Sequence, residues 1–257
     1  MIGVDEKTIR QDIRQWSGLV LTGAWVALAS VALIVVQVVI FLVWPAPRST
    51  RGLFEMLVEN PLRGLLALDL LYVVSNLLAY LLYFALAVVL WRVSRSAVVI
   101  ALAFGVLGMA AYMASPRPIE MLLLARSYAK ADAAEQVALL ATGEGMLATW
   151  TGTAFDIYYM FNLVTLLVLA VLMYRSQVFS RPTAVWGLVA AALMAVPSNF
   201  GTVGLVFALA SLVPWAVFAV LVARRLFALA AAARSPDQAT GGRAPLSQQP
   251  AGARRLV

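Results

Sequence analysis

The sequence predicts an all-α integral membrane protein, a six-transmembrane-helix bundle with short amphipathic extracytoplasmic helices. Two observations support this prediction. Hydrophobic residues make up 63% of the chain and charged residues only 12%, about half the charged share of ordinary soluble domains. The apolar residues also form unbroken runs, several of them longer than the ~20 residues that a helix needs to cross the hydrocarbon core. The alternating strands of a membrane barrel do not produce such runs.

The spans are separated by prolines, glycines and basic residues. A polar amino-terminal segment, residues 1–16, precedes an apolar run that is longer than the 7–15-residue core of a signal peptide. The membrane domain covers residues 17–227, with spans predicted at 18–44, 64–91, 97–114, 148–174, 183–197 and 201–221. Residues 228–257 begin Ala-rich and become rich in Pro, Gly, Gln and Ser, so we expect a disordered cytoplasmic tail there.

Two connections between spans contain amphipathic stretches, at 48–62 and 116–147. In the first, apolar side chains are interleaved with Glu55 and Glu59 at helical spacing, a pattern typical of a helix that lies at the membrane interface. In the second, Asp132 and Glu135 have the spacing of a helix capping box. We expect the two connections to form an external cap.

The basic residues predict the orientation. Six spans place both termini on one side of the membrane, and 13 of the 19 lysines and arginines fall on that side. Because basic residues accumulate on the cytoplasmic side, we expect a multi-pass protein of the cell inner membrane with both termini in the cytoplasm.

Missing residue types exclude several kinds of chemistry. The chain has no histidine and no cysteine, the usual ligands of haem, iron–sulfur clusters and zinc and the partners in Ser–His catalysis. Its two lysines, Lys7 and Lys130, lie outside the apolar runs, so no intramembrane lysine is present to form a retinal Schiff base. We therefore expect no cofactor. The basic residues do not form an aromatic-interleaved face, so we expect no nucleic-acid partner.

Two acidic residues fall inside predicted spans, Asp69 in the second and Asp156 in the fourth. Each costs about 2.5–3.5 kcal/mol at a helix centre, so such residues usually face the bundle interior. They lie at similar depths and could therefore meet. Polar and aromatic residues recur near them at spacings of three and four. The candidate ligand-binding residues are Asp69, Tyr72, Asn76, Tyr80, Thr153, Asp156, Tyr159 and Asn162.

Three functions remain open. The chain binds or passes a small or lipid-like ligand in an outward-facing polar pocket between spans two and four, serves as an accessory subunit of a larger membrane complex, or is an intramembrane enzyme with paired aspartates. The flanks of Asp69 and Asp156 lack the Gly-x-Gly-Asp pattern of aspartyl intramembrane proteases, so no catalytic residue is assigned. In a purely structural role, tyrosines, amides or Arg63 would satisfy the two carboxylates. The expected partners are the lipid bilayer, the ligand and partner subunits.

Four motifs point to a family. They are Tyr128-Ala-Lys-Ala-Asp-Ala-Ala-Glu135, Ala138-Leu-Leu-Ala-Thr-Gly-Glu144, Gly152-Thr-Ala-Phe155 and Leu172-Met-Tyr-Arg175-Ser-Gln-Val-Phe179. Through them the chain, mainly over residues 128–179, resembles a bacterial membrane family described as domain of unknown function 4386. The resemblance implies a six-helix inner-membrane protein and confers no catalytic residues.

Overall fold

The computed structural model describes residues 6–47 and 49–234, and all regular secondary structure in these residues is helical. Eleven helices follow one another in this part of the chain: α1 (Glu6–Gln15), α2 (Ser17–Val43), α3 (Thr50–Glu59), α4 (Pro61–Ala67), α5 (Leu70–Leu90), α6 (Arg95–Met113), α7 (Pro118–Tyr128), α8 (Ala133–Trp150), α9 (Thr153–Arg175), α10 (Arg181–Leu193) and α11 (Gly201–Arg234). Most of the predicted tail, residues 235–257, lies outside the described residues.

Six of these helices form a closed ring in which each packs against the next: α2, α5, α6, α9, α10 and α11, with α11 returning to α2. Their shared core consists mainly of Leu, Ala and Val. Five helical stretches in the described residues are long and apolar enough to cross a membrane: Ser17–Val43, Leu70–Leu90, Arg95–Tyr128, Ala133–Arg175 and Gly201–Arg234. The predicted all-α membrane bundle is confirmed.

α10, which corresponds to the span predicted at 183–197, is not among these five stretches. α10 has 13 residues and is about 20 Å long at 1.5 Å per residue, too short to cross alone. The turn after α10 reaches the start of α9, where the Asn199 side chain donates a hydrogen bond of 2.7 Å to the carbonyl of Thr151. Thr151 lies at the α8–α9 junction, at the opposite end of α9 from the start of α10.

Three predicted boundaries differ from the structure. The second span, predicted at 64–91, is broken into α4 and α5 because Asp69 between them takes a left-handed backbone conformation with φ 60°. The fourth, predicted at 148–174, begins at Thr153, because α8 continues to Trp150 before the chain turns. The last, predicted at 201–221, continues to Arg234, so residues 228–234 are helical.

One end of the ring is covered by a cap, which we define as α3, α4, α7 and α8. It has a small core of its own, in which Phe54, Leu57 and Met121 are fully buried. The Asp132 carboxylate accepts hydrogen bonds from the backbone N–H groups of Ala134 and Glu135, at 3.0 and 2.9 Å. This is the helix start that the spacing of Asp132 and Glu135 predicts.

The other end of the ring, which we call the terminal side, is covered by α1. Ile9 and Ile13 of α1 join the main core. Arg92, in the α5–α6 turn, donates two hydrogen bonds to the Asp12 carboxylate at 2.6 and 3.0 Å, and this interaction holds the pKa of Asp12 below its usual value. The two ends of the ring are therefore covered by different helices.

Candidate functional site

Asp69 lies at the break between α4 and α5, on the cap side of the ring. Aspartate tolerates the left-handed conformation better than most residues, which explains how a non-glycine residue occupies this position. The Tyr112 hydroxyl donates to one carboxylate oxygen of Asp69 at 3.5 Å. Among the described residues Asp69 has no salt-bridge partner. Arg63, one of the partners considered for a purely structural role, places its guanidinium 5.9 Å from the ring centre of Trp44.

A cluster of aromatic side chains surrounds this break. Tyr112, Phe155, Tyr158 and Tyr159 are buried together, with Tyr72 packed against them. The rings of Tyr112 and Tyr158 lie 4.7 Å apart, and the ring of Tyr72 meets that of Tyr112 edge-on at 5.8 Å. α5, α6 and α9 therefore meet through aromatic contacts just below the cap.

Beside this cluster lies a cavity of about 210 Å³, which we call the polar cavity. Its lining comes from α2, the α4–α5 break, α5, α9, the α10–α11 turn and α11: Ile34, Gln37, Val38, Phe41, Asp69, Tyr72, Phe155, Tyr159, Met194, Ser198, Leu205, Ala208, Leu209, Ser211 and Leu212. An adjoining cavity of about 50 Å³ shares Tyr72 and Met194 with it and adds Asn76, Tyr158 and Asn162. Most of the lining is apolar, with a few polar side chains among it.

Gln37 is the most unusual member of the lining. Its side chain is only 5% exposed, and neither its amide oxygen nor its amide nitrogen has a hydrogen-bond partner among the described residues. Leaving a buried donor or acceptor unpaired costs about 1–3 kcal/mol. Asn76 is in a similar position: its oxygen accepts a hydrogen bond from the Tyr158 hydroxyl, while its nitrogen finds no partner in the described part of the chain. The site therefore presents unused hydrogen-bonding groups.

The structure places the predicted site residues in three groups. Asp69, Tyr72 and Tyr159 line the polar cavity, and Asn76 and Asn162 line the adjoining one. Two others point elsewhere: the Tyr80 hydroxyl donates to the carbonyl of Leu102 at 2.8 Å, and Thr153 is exposed at the start of α9.

Asp156 forms the third group. Its carboxylate accepts a hydrogen bond of 2.8 Å from the Asn199 side chain, and it lines neither cavity. The two aspartates thus have different partners, and their contacts give no support to the expectation that they meet. Nor do the described residues contain a group of three or more Asp and Glu side chains able to share a metal ion.

Several lining residues do not appear among the predicted ones, chiefly Gln37, Ser198 and Ser211. The sequence does mark Gln37, because it is the one amide side chain in the apolar run 18–44. A prediction that starts from the charged residues inside the spans does not include it. Ser198 is brought in by a turn, where the Tyr159 hydroxyl donates to it at 3.2 Å. That contact depends on the packing of α10 against α9.

The fold and the site together define a multi-pass helical membrane protein with a polar cavity just below its cap. The chain belongs to the family described as Domain of unknown function (DUF4386), whose model matches residues 21–229. The resemblance seen in the motifs is thereby confirmed. No curated protein and no solved structure matches the chain.

Proposed function

We propose that this protein binds a small amphipathic ligand, either a small molecule or one part of a lipid, in the polar cavity. The observation that carries the proposal is Gln37, whose buried amide has no hydrogen-bond partner among the described residues and lines the same space as Asp69. Polar groups at membrane depth are costly and usually mark a functional site. A bound ligand with a polar group would satisfy both side chains.

The size of the cavity limits the ligand. At about 210 Å³ it is smaller than the roughly 300–1,000 Å³ of pockets that hold drug-sized molecules. Its aliphatic lining, from residues such as Val38, Leu205 and Leu209, suits a short hydrocarbon group. A small amphipathic molecule, or a single chain of a lipid, fits both properties.

We further propose that the protein resides in the inner membrane with the cap outside and both termini in the cytoplasm. The excess of basic residues on the terminal side supports this orientation. Asp69 precedes α5, Ser198 precedes α11, and Phe155 lies in the first turn of α9, so the lining lies near the cap-side ends of these helices. In the proposed orientation the ligand enters from outside or from the outer leaflet.

Native mass spectrometry of the full chain, extracted with its surrounding lipid, tests the proposal. We expect a bound non-protein mass that falls at least tenfold in occupancy in Gln37→Leu and in Asp69→Asn. Asp156→Asn is the matched control, because this aspartate lines neither cavity, and it should keep the bound mass. Equal occupancy in all variants would contradict the proposal. Recovery of a stoichiometric protein partner with no small molecule would favour the accessory-subunit function instead.

A further inference from the structure

We infer that the ligand of the polar cavity is a small organic cation, an amine or quaternary ammonium compound with a short apolar body, whose charged group lies against Asp69. This inference rests on the proposed function, since it names the class of ligand for the same cavity. Two properties of the lining carry it: its charge and its aromatic rings.

The charge of the lining is unbalanced. Among the described side chains that line the polar cavity, Asp69 is the one charged residue, with no lysine or arginine beside it. Its hydrogen bond from Tyr112 is long, at 3.5 Å, and Arg63 stacks over Trp44 instead of pairing with it. Asp69 is partly buried, and a carboxylate taken out of water is costly unless it is paired, so a cationic ligand would supply the missing partner.

Aromatic rings stand around the same space. Phe41, Tyr72, Phe155 and Tyr159 all line the cavity with Asp69. Ring faces attract cations by about 0.5–2 kcal/mol each, and boxes of aromatic residues are a common way to recognise ammonium groups. A carboxylate beside several rings therefore matches an organic cation in both charge and shape.

Other charged ligands fit the lining less well. An anion would meet the carboxylate of Asp69 with no basic side chain in the lining to offset it. Inorganic cations such as Mg²⁺ and Ca²⁺ are usually bound by carboxylates from more than one residue, whereas Asp69 supplies the one carboxylate among the described lining residues. The amide oxygen of Gln37, which has no partner among the described residues, is free to accept a hydrogen bond from a protonated amine.

Thiol protection tests the inference in the full chain. The protein has no cysteine, so Ser211→Cys places a single thiol in the cavity lining, where methyl methanethiosulfonate can modify it. The modification rate is measured with increasing hexyltrimethylammonium, hexanol or hexanoate. We expect the ammonium compound to protect the thiol at a concentration at least tenfold lower than hexanol, and hexanoate to protect least.

Variants assign the effect to the carboxylate and the rings. Asp69→Asn should remove the tenfold advantage of the ammonium compound, and Asp156→Asn should keep it. In Tyr72→Phe, which retains the ring, the ammonium compound should protect the thiol at the same concentration as in the parent. In Tyr72→Leu, the same protection should require several-fold more ammonium compound. These comparisons also separate cation recognition by the ring from hydrogen bonding by the hydroxyl.

The outcomes separate this inference from the function on which it rests. Equal protection by hexanol and hexyltrimethylammonium would overturn the inference that the ligand is cationic, and this result is expected if Asp69 is neutral. The proposed function, ligand binding in the polar cavity, would still stand. Preferential protection by hexanoate, or by Na⁺ alone, would overturn it as well. If the Ser211→Cys thiol reacts but none of the three compounds protects it, the inference also fails. A thiol that does not react at all would count against both the inference and the proposed function.

Discussion

At the scale of single residues, Asp69 combines two uncommon properties. It takes a left-handed backbone conformation, and it brings a carboxylate to the wall of a cavity inside an apolar bundle. Strained backbone positions of this kind often occur at functional sites. The sequence points to Asp69 through its charge, but the helix break was not predicted, because no glycine or proline stands at positions 65–70.

The two properties of Asp69 can be separated by substitution. Asparagine accepts the left-handed conformation nearly as well as aspartate, so Asp69→Asn should change the free energy of unfolding by less than about 1 kcal/mol while ligand binding falls. Asp69→Val should lower the free energy of unfolding by about 1–3 kcal/mol, because a β-branched side chain is strained at positive φ. Thermal unfolding in detergent measures both variants. A large loss in Asp69→Asn would instead assign the carboxylate a structural role.

At the scale of helices, the ring depends on small residues where backbones approach closely. Gly23 of α2 packs against Ala85 of α5, and a methyl group built on Gly23 would overlap the Ala85 methyl group. Small residues allow such close approach in membrane proteins, where helix packing replaces the hydrophobic effect. The sequence predicts that helices pack, but the choice of Gly23 over the other glycines depends on which faces meet.

Gly23→Ala should therefore destabilise the ring. The added methyl group has no space, because the group it meets is a short, rigid side chain, and overpacking of this kind costs about 1–3 kcal/mol. Gly18→Ala is the matched control, since it lies on the same helix with nothing within 4 Å of the added atom. It should be neutral or slightly stabilising, because alanine favours a helix by up to about 1 kcal/mol over glycine. Equal melting temperatures for the two variants would refute the close contact.

At the scale of the whole molecule, hydropathy accounts for most of the fold. Long apolar runs predict the number of spans, because crossing a bilayer demands them, and the cap follows from amphipathic spacing. Hydropathy says less about which polar side chains meet. Asp69 and Asp156 lie at similar predicted depths, yet one lines the polar cavity from the α4–α5 break and the other, in the first turn of α9, bonds to Asn199.

The proposed orientation gives a prediction for intact cells. Glu144→Cys lies on exposed α8 of the cap, and Gln177→Cys lies in the exposed α9–α10 turn on the terminal side. A membrane-impermeant thiol reagent should label Glu144→Cys in whole cells and Gln177→Cys only after the membrane is opened. The reverse pattern would show the opposite topology, with the cap and the polar cavity on the cytoplasmic side.

The central claim is that the polar cavity admits molecules, and thiol accessibility tests it most directly. Ser211 lines the cavity, whereas Ser30 is fully buried outside it. The two hydroxyls otherwise make the same local contact, each donating to the carbonyl three residues earlier. In bilayers, methyl methanethiosulfonate should modify Ser211→Cys at least tenfold faster than Ser30→Cys. The reagent should also modify Ser211→Cys faster than Val213→Cys, which lies on the exposed face of α11, where lipid keeps the thiol protonated. Equal, slow modification at all three positions would contradict the account.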